Sequence, residues 1–270
     1  MDHIREIIKK SGNSFHSKVA NHLKSNGWHV LISPYYTDGL SDKPREIDLI
    51  AEKAIHITNF FGQPTSETIN LKLYIECKYI PNSMVFWFSE IDTDKAHNLL
   101  LRKHGFTDRN TFIYEHRYVR GGQSAAKLFA YGPNNKTNNN SSKSSDNDPF
   151  YKALNQSISG MVYSRQSGSI LPKKSNSNII PYVIEYPIIL CNSFDNFYRV
   201  EMHDESNPTK INEDFMLEVN YAYVDVNHRS LNEYFLLDVV SYSNIEKYLS
   251  VIDDDAERLK NIKARDHSLR

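Results

Sequence analysis

The chain has 270 residues, 40% of them hydrophobic and 12% aromatic, with only 10 glycines and 10 prolines. That is enough apolar material for one large domain, and it excludes a fibrous or low-complexity chain. The formal net charge is −1, so the chain as a whole exerts no pull on nucleic acid, although a local basic patch remains compatible with it.

Residues 2–10 read as a short helix broken by SGNS, where Ser14 is placed to cap a second helix. In that second helix Phe15, Val19 and Leu23 recur every four residues, and Gly27 is a natural stop. WHVLISPYY then alternates as a strand, with Trp28, Val30 and Ile32 on one face. TDGLSDKP is turn chemistry, REIDLIAEKAIHIT a long strand, NFFGQPTSET a loop and INLKLYIECKYI the next strand. These two strands are expected to form a hairpin with a generous connection. Residues 89–105 read as a helix with Ile91, Ala96, Leu99, Leu100 and Leu101 on its apolar face, and NTFIYEHRYVR as a strand or the rim of one. The polar tract 134–148, NNKTNNNSSKSSDND, is expected to be a flexible insertion.

After Pro149, FYKALNQSISGMVYSR carries Phe150, Leu154, Ile158 and Met161 about one helical turn apart. Four strands are expected next, in PYVIEYPIILC, NFYRVEM, FMLEVNYAYV and EYFLLDVVSY, and a charged helix closes the chain over residues 243–264. The tyrosines of the 218–236 region read as core and strand residues rather than base-stacking platforms. The order predicts a single α/β domain over 1–270 with a mixed central sheet flanked by helices and a strand-rich C-terminal elaboration over 180–265. No apolar run is long enough to span a membrane, and MDHIREIIKK lacks the apolar centre of a signal peptide. A cytoplasmic location is therefore expected.

The stretch KLYIECKYI, residues 72–80, places Glu76 and Lys78 in an apolar strand. Burying charges costs several kcal/mol unless they are paired or ligate a metal, so the stretch is either a half-exposed strand or a site. Strand alternation puts Glu76 and Lys78 on one face, and Glu46, Asp48 and Ile50 share a face of the preceding strand. Pairing the two strands lets Asp48, Glu76 and Lys78 converge. Two carboxylates can hold a divalent cation through hard oxygen ligands, such a cation activates water, and a lysine can position that water or offset charge on phosphate. The set suits phosphodiester hydrolysis. The Cys77 side chain is expected to face away, with its backbone carbonyl free to act as a ligand. Cys77 and Cys191 form no Cys-x-x-Cys or Cys/His cluster, which argues against a structural zinc site and fits two free, buried thiols. The basic residues Arg102, Lys103, His104, Arg109, Arg117 and Arg120 could contact phosphates. The Gly121–Gly122 pair is not accompanied by a phosphate-binding loop motif.

FHSKVANHLKSNGWHV, REIDLIA and LYIECKY together resemble the core of the PD-(D/E)xK nuclease superfamily, with an Mrr-like flavour, over residues 14–80. The resemblance implies a restriction-endonuclease-like core, Asp48 and Glu76 with the Cys77 carbonyl as ligands of Mg²⁺ (Mn²⁺ substituting), and Lys78 as the catalytic lysine. It further implies DNA as the expected substrate, a bacterial defence or restriction role, and a homodimer as an expected assembly. His16 stands where many members carry a helix glutamate, and Glu46 is the candidate replacement. Two other readings stay open at this point. One is a nuclease-fold binding or assembly module with little catalysis; the other is an RNA-cleaving enzyme using the same residues.

Overall fold

A computed structural model describes residues 2–38, 43–59, 61–104, 116–120, 122–132, 149–167, 180–225 and 227–268. The expected insertion at 134–148, Arg109, and the side chains of Arg102, Lys103 and His104 lie outside what is described. The described residues form a mixed α/β protein with five helices: α1 (Asp2–Lys10), α2 (Asn13–Ser25), α3 (Thr93–His104), α4 (Pro149–Ser167) and α5 (Ile245–Ser268).

Ten strands make one mixed sheet. They are β1 (His29–Ile32), β4 (Leu49–Thr58), β5 (Pro64–Lys78), β6 (Met84–Glu90), β7 (Ser124–Tyr131), β8 (Ile180–Cys191), β9 (Phe197–Glu201), β10 (Asp204–Lys210), β11 (Phe215–Val224) and β12 (Ser230–Ser241). Their order is β1-β4-β5-β8-β12-β11-β7-β6-β9-β10. The short strands β2 (Tyr35–Thr37) and β3 (Pro44–Glu46) pair apart from it.

β5 is the strand that carries the site, and it is buried on both faces from Thr68 to Cys77, apart from half-buried Asn70. Its alternation is clean. Ile69, Leu71, Leu73, Ile75 and Cys77 join the core under α2, α3 and α5. Tyr74 belongs to the opposite core, built with Phe150, Leu154, Ile158 and Met161 of α4. β5 pairs antiparallel with β4 and parallel with β8. A central strand of this kind cannot end in solvent along its length, so its polar residues need internal partners. Lys72, for example, pairs with Glu52 at 2.7 Å.

Pro187 sits in mid-β8 opposite Tyr74. Proline has no N–H to give to a ladder, which makes it rare in a central strand. The gap is filled from α4. The buried Ser157 hydroxyl donates to the Tyr74 carbonyl at 2.8 Å and accepts from the Ile188 N–H at 3.0 Å. Gly160, one turn further on, keeps α4 close, since a Cβ there would stand 3.0 Å from Ile47 Cδ1.

Several local expectations change. Helix α2 starts at Asn13 after Gly12, with no side-chain cap, so Ser14 lies inside the helix. Gly27 does end the segment, at φ +80°, a left-handed conformation that favours glycine. The expected strand from Arg45 to Thr58 is broken by a bend at Asp48, between β3 and β4. The hairpin connection is short, because β5 already begins at Pro64. The helix expected over 89–105 begins only at Thr93, because Ser89 and Glu90 close the strand β6, and β7 and β10 are further strands that local sequence does not announce. No helix among the described residues is long and apolar enough to cross a membrane.

Candidate functional site

Asp48 owes its position to the bend. The Ser33 N–H donates to the Asp48 carbonyl at 2.8 Å, and the Ile47 N–H donates to the Pro34 carbonyl at 3.1 Å. The chain then enters β4 with Leu49 opposite Ile75 and Ile50 opposite Tyr74. Asp48 is thereby set level with Glu76, and its N–H donates to Glu76 Oε1 at 3.2 Å.

The side chains converge on the two carboxylates. Asp48 Oδ2 accepts the Cys77 N–H at 2.8 Å and lies 3.4 Å from Lys78 Nζ and 3.3 Å from His16 Nε2. The Lys78 ammonium donates to Glu76 Oε2 at 2.8 Å. Asp48, Glu76, Lys78 and His16, named from sequence, are thus brought together from α2, the bend and β5. Glu46 is not aligned with them. The bend interrupts the alternation, and Glu46 lies opposite Tyr35 in β2, whose phenol it raises. The Cys77 carbonyl belongs to a residue registered against Leu190 of β8.

The electrostatics are those of a crowded, largely buried site. Glu76 is wholly buried, and burial, with the adjacent Asp48 charge, pushes its carboxyl up to about 8 against the opposing pull of Lys78. Burial alone would lower Lys78, but the charges of Glu76 and Asp48 outweigh it and hold the ammonium charged. Burial raises the Cys77 thiol well above its ordinary value, with Asp48 and Glu76 adding to the effect. Nearby Tyr36, buried in the α4 core, is raised first by burial and then by the Glu76 charge. Such a group of charges stabilises a fold poorly compared with apolar packing, and perturbed carboxylates of this kind cluster at functional sites.

The Cys77 thiol is the feature that sequence reading set aside. It does point away from the Glu76 face, toward α2, but His16 approaches from that side. His16, Asp48 and Cys77 offer ligand atoms that all lie within 4.8 Å of one another. The signal available in the sequence was strand alternation itself, which turns Cys77 toward the helix that carries His16.

The basic residues divide. Arg117 is turned inward: it pairs with buried Asp238 and is ringed by Tyr118, Tyr186 and Tyr248. Asp238 also accepts the hydroxyls of Tyr118 at 3.0 Å and Tyr248 at 2.8 Å. Arg120 is exposed, 4.0 Å from Asp255.

Glu76 and Lys78 lie at the carboxyl end of β5, beside the carboxyl ends of the parallel strands β8 and β12. Lys78 and Ser241 are both in register with Cys191, and the Asn192 N–H donates to the Lys78 carbonyl at 3.1 Å. A cleft of about 510 Å³ lined by Asn192, Ser241, Ser243 and Lys210 lies beside these strand ends, and none of His16, Asp48, Glu76, Cys77 or Lys78 lines it. It shares Lys210, Ile211 and Asn212 with a second cleft of about 790 Å³ lined by Arg120, Arg199 and Lys247. Crevices outside the carboxyl ends of strands are where open α/β sheets commonly bind ligands.

Comparison with protein-family models, with curated proteins and with solved structures found no match to this chain. Function is therefore read from the site's own geometry.

Proposed function

We propose that the protein is a metal-dependent nuclease with a restriction-endonuclease-like core, hydrolysing phosphodiester bonds, with DNA as the first substrate to test. The observation that carries the reading is the Lys78 ammonium held between Asp48 and Glu76, 3.4 Å from one and 2.8 Å from the other, at the end of a central strand. A cation already bridges the two carboxylates there, so the oxygen donors suit a divalent cation of the Mg²⁺ or Mn²⁺ kind. When bound, that cation supplies Lewis acidity toward phosphate and a more acidic water.

Asp48 and Glu76 would hold the cation. Lys78, released from its internal partners, would face the phosphate and offset its charge. The two joined clefts beside the strand ends carry Lys210, Arg199, Lys247 and Arg120 together with the acids Glu213, Asp214 and Asp238, and the four cations offer contacts for a polynucleotide backbone. The same residues would serve on RNA, so both polymers belong in the test.

A second reading is favoured by one observation. Glu76 has both oxygens engaged, Oε1 by the Asp48 N–H and Oε2 by Lys78. A site so well satisfied could be a retained fold without turnover, serving in binding or assembly.

The deciding experiment is cleavage of DNA and RNA oligonucleotides with Mg²⁺ or Mn²⁺, comparing wild type, Lys78→Ala and Asp48→Asn after circular dichroism confirms folding. The expected result is a loss of at least about 100-fold in either variant. Equal rates in all three proteins would overturn the assignment. No cleavage by wild type, together with retained polynucleotide binding, would favour the binding module.

A further inference from the structure

The ligand atoms nearest one another around Asp48 are not all oxygens. His16 contributes an imidazole nitrogen, Asp48 a carboxylate oxygen and Cys77 a sulfur, all within 4.8 Å of one another. His16 Nε2 already lies 3.3 Å from Asp48 Oδ2. The three come from separate elements, α2, the bend before β4 and β5. Each is held by backbone structure: His16 one turn before buried Val19 and Ala20, Asp48 by the Ser33 and Glu76 contacts, and Cys77 inside the β5–β8 ladder.

Ligand type selects the ion. Mg²⁺ prefers oxygen and keeps its waters, whereas imidazole and thiolate favour zinc and its neighbours in the first transition row. Three protein ligands of the N, O and S kinds with a further position open is the arrangement of zinc centres that keep room for water or substrate. His16 on α2 is half-buried, and Asp48 and Cys77 are buried.

We propose that His16, Asp48 and Cys77 form a binding site for a divalent transition ion of the zinc class, held by imidazole nitrogen, carboxylate oxygen and thiolate sulfur. On binding, the Cys77 S–H bond breaks heterolytically: the proton goes to solvent and the sulfur keeps the electron pair to form the metal bond. No oxidant or reductant takes part. The proposal rests on the reading of Asp48 as a metal ligand, but it changes the ion and brings in two residues from the α2 side. In this arrangement Glu76 is not a ligand and keeps the 2.8 Å contact with Lys78 that the Mg²⁺ arrangement releases.

The test is optical and does not depend on turnover. The full chain, stripped with chelator and kept reduced, is titrated with Co²⁺. A thiolate ligand gives a near-ultraviolet charge-transfer band, and a low coordination number gives intense visible bands. The expected result is one Co²⁺ per chain with the charge-transfer band, displaced by one equivalent of Zn²⁺ and not by excess Mg²⁺. Cys77→Ser should abolish the band, Cys191→Ser should keep it, and His16→Ala, a helix-surface change, should weaken Zn²⁺ binding by at least about tenfold. Binding of Co²⁺ without a charge-transfer band, or with a band unchanged in Cys77→Ser, overturns the proposal. If Mg²⁺-dependent cleavage sensitive to Lys78→Ala accompanies that result, the nuclease reading stands while the zinc-class site falls. Absence of any divalent binding removes both.

Discussion

At the scale of single residues, the site is a negotiation over buried charge. Asp48, Glu76 and Lys78 could be picked out because period-two alternation survives in β5, where Tyr74 and Glu76 do share the α4 side. Glu46 could not be placed, because the bend at Asp48 resets the alternation, and that bend is pinned by Ser33 and Pro34, more than ten residues earlier. Charges elsewhere obey the same physics. Asp255 on α5 is wholly buried, 3.6 Å from His116 Nε2 and 4.0 Å from the Arg120 guanidinium. Burial raises its carboxyl to about 6, against the pull of Arg117, Arg120 and Arg258. The folded state thus binds this proton more tightly than the unfolded chain. Between the ordinary aspartate range and about pH 6, the Asp255 contribution to folding stability should fall as pH rises, while Glu76, raised to about 8, adds its own fall that continues to higher pH. Urea denaturation across that window should show wild type losing more stability than Asp255→Asn, by on the order of 3 kcal/mol. An identical slope in both proteins would remove Asp255 as its source.

At the scale of elements, helices were more legible than strands. The four-residue spacing of Phe15, Val19 and Leu23 and of Phe150, Leu154 and Ile158 marks faces that are buried or packed against the core. β7, SAAKLFAY, is rich in helix formers and becomes a strand because β6 and β11 flank it, so neighbouring backbones override its local preference. The contact between α4 and the sheet was invisible for another reason. It depends on Pro187 meeting Tyr74 across the β5–β8 ladder, a register that neither segment encodes alone. Ser157→Ala removes the hydroxyl that serves both the Tyr74 carbonyl and the Ile188 N–H, leaving two buried backbone groups without it. The expected cost is about 2–4 kcal/mol, read as a lowered denaturation midpoint, with faster amide exchange at Ile188. A variant within about 0.5 kcal/mol of wild type would mean that the gap is satisfied otherwise.

At the scale of the whole molecule, an α/β class and a mixed sheet followed from the alternation of helical and strand patterns, but the sheet's extent did not. Ten strands lie in one sheet because late segments return to early ones: β8 inserts beside β5, and β9 beside β6. That return has a consequence for how little of the chain can stand alone. His16, Asp48, Glu76, Cys77 and Lys78 all fall within the first 78 residues, yet one edge of β5 is satisfied along Glu67–Lys78 only by Ile180–Cys191. A fragment ending at residue 80 would carry every proposed ligand together with a long, apolar, open strand edge, which recruits other chains. Such a fragment should elute as aggregate in size-exclusion chromatography, and adding a peptide of residues 180–191 should shift it toward monomer. A soluble monomeric fragment without the peptide would show that β5 can do without its later neighbour. The proposed ligands are written early in the chain, and the strand that covers the open edge beside them is written about a hundred residues later.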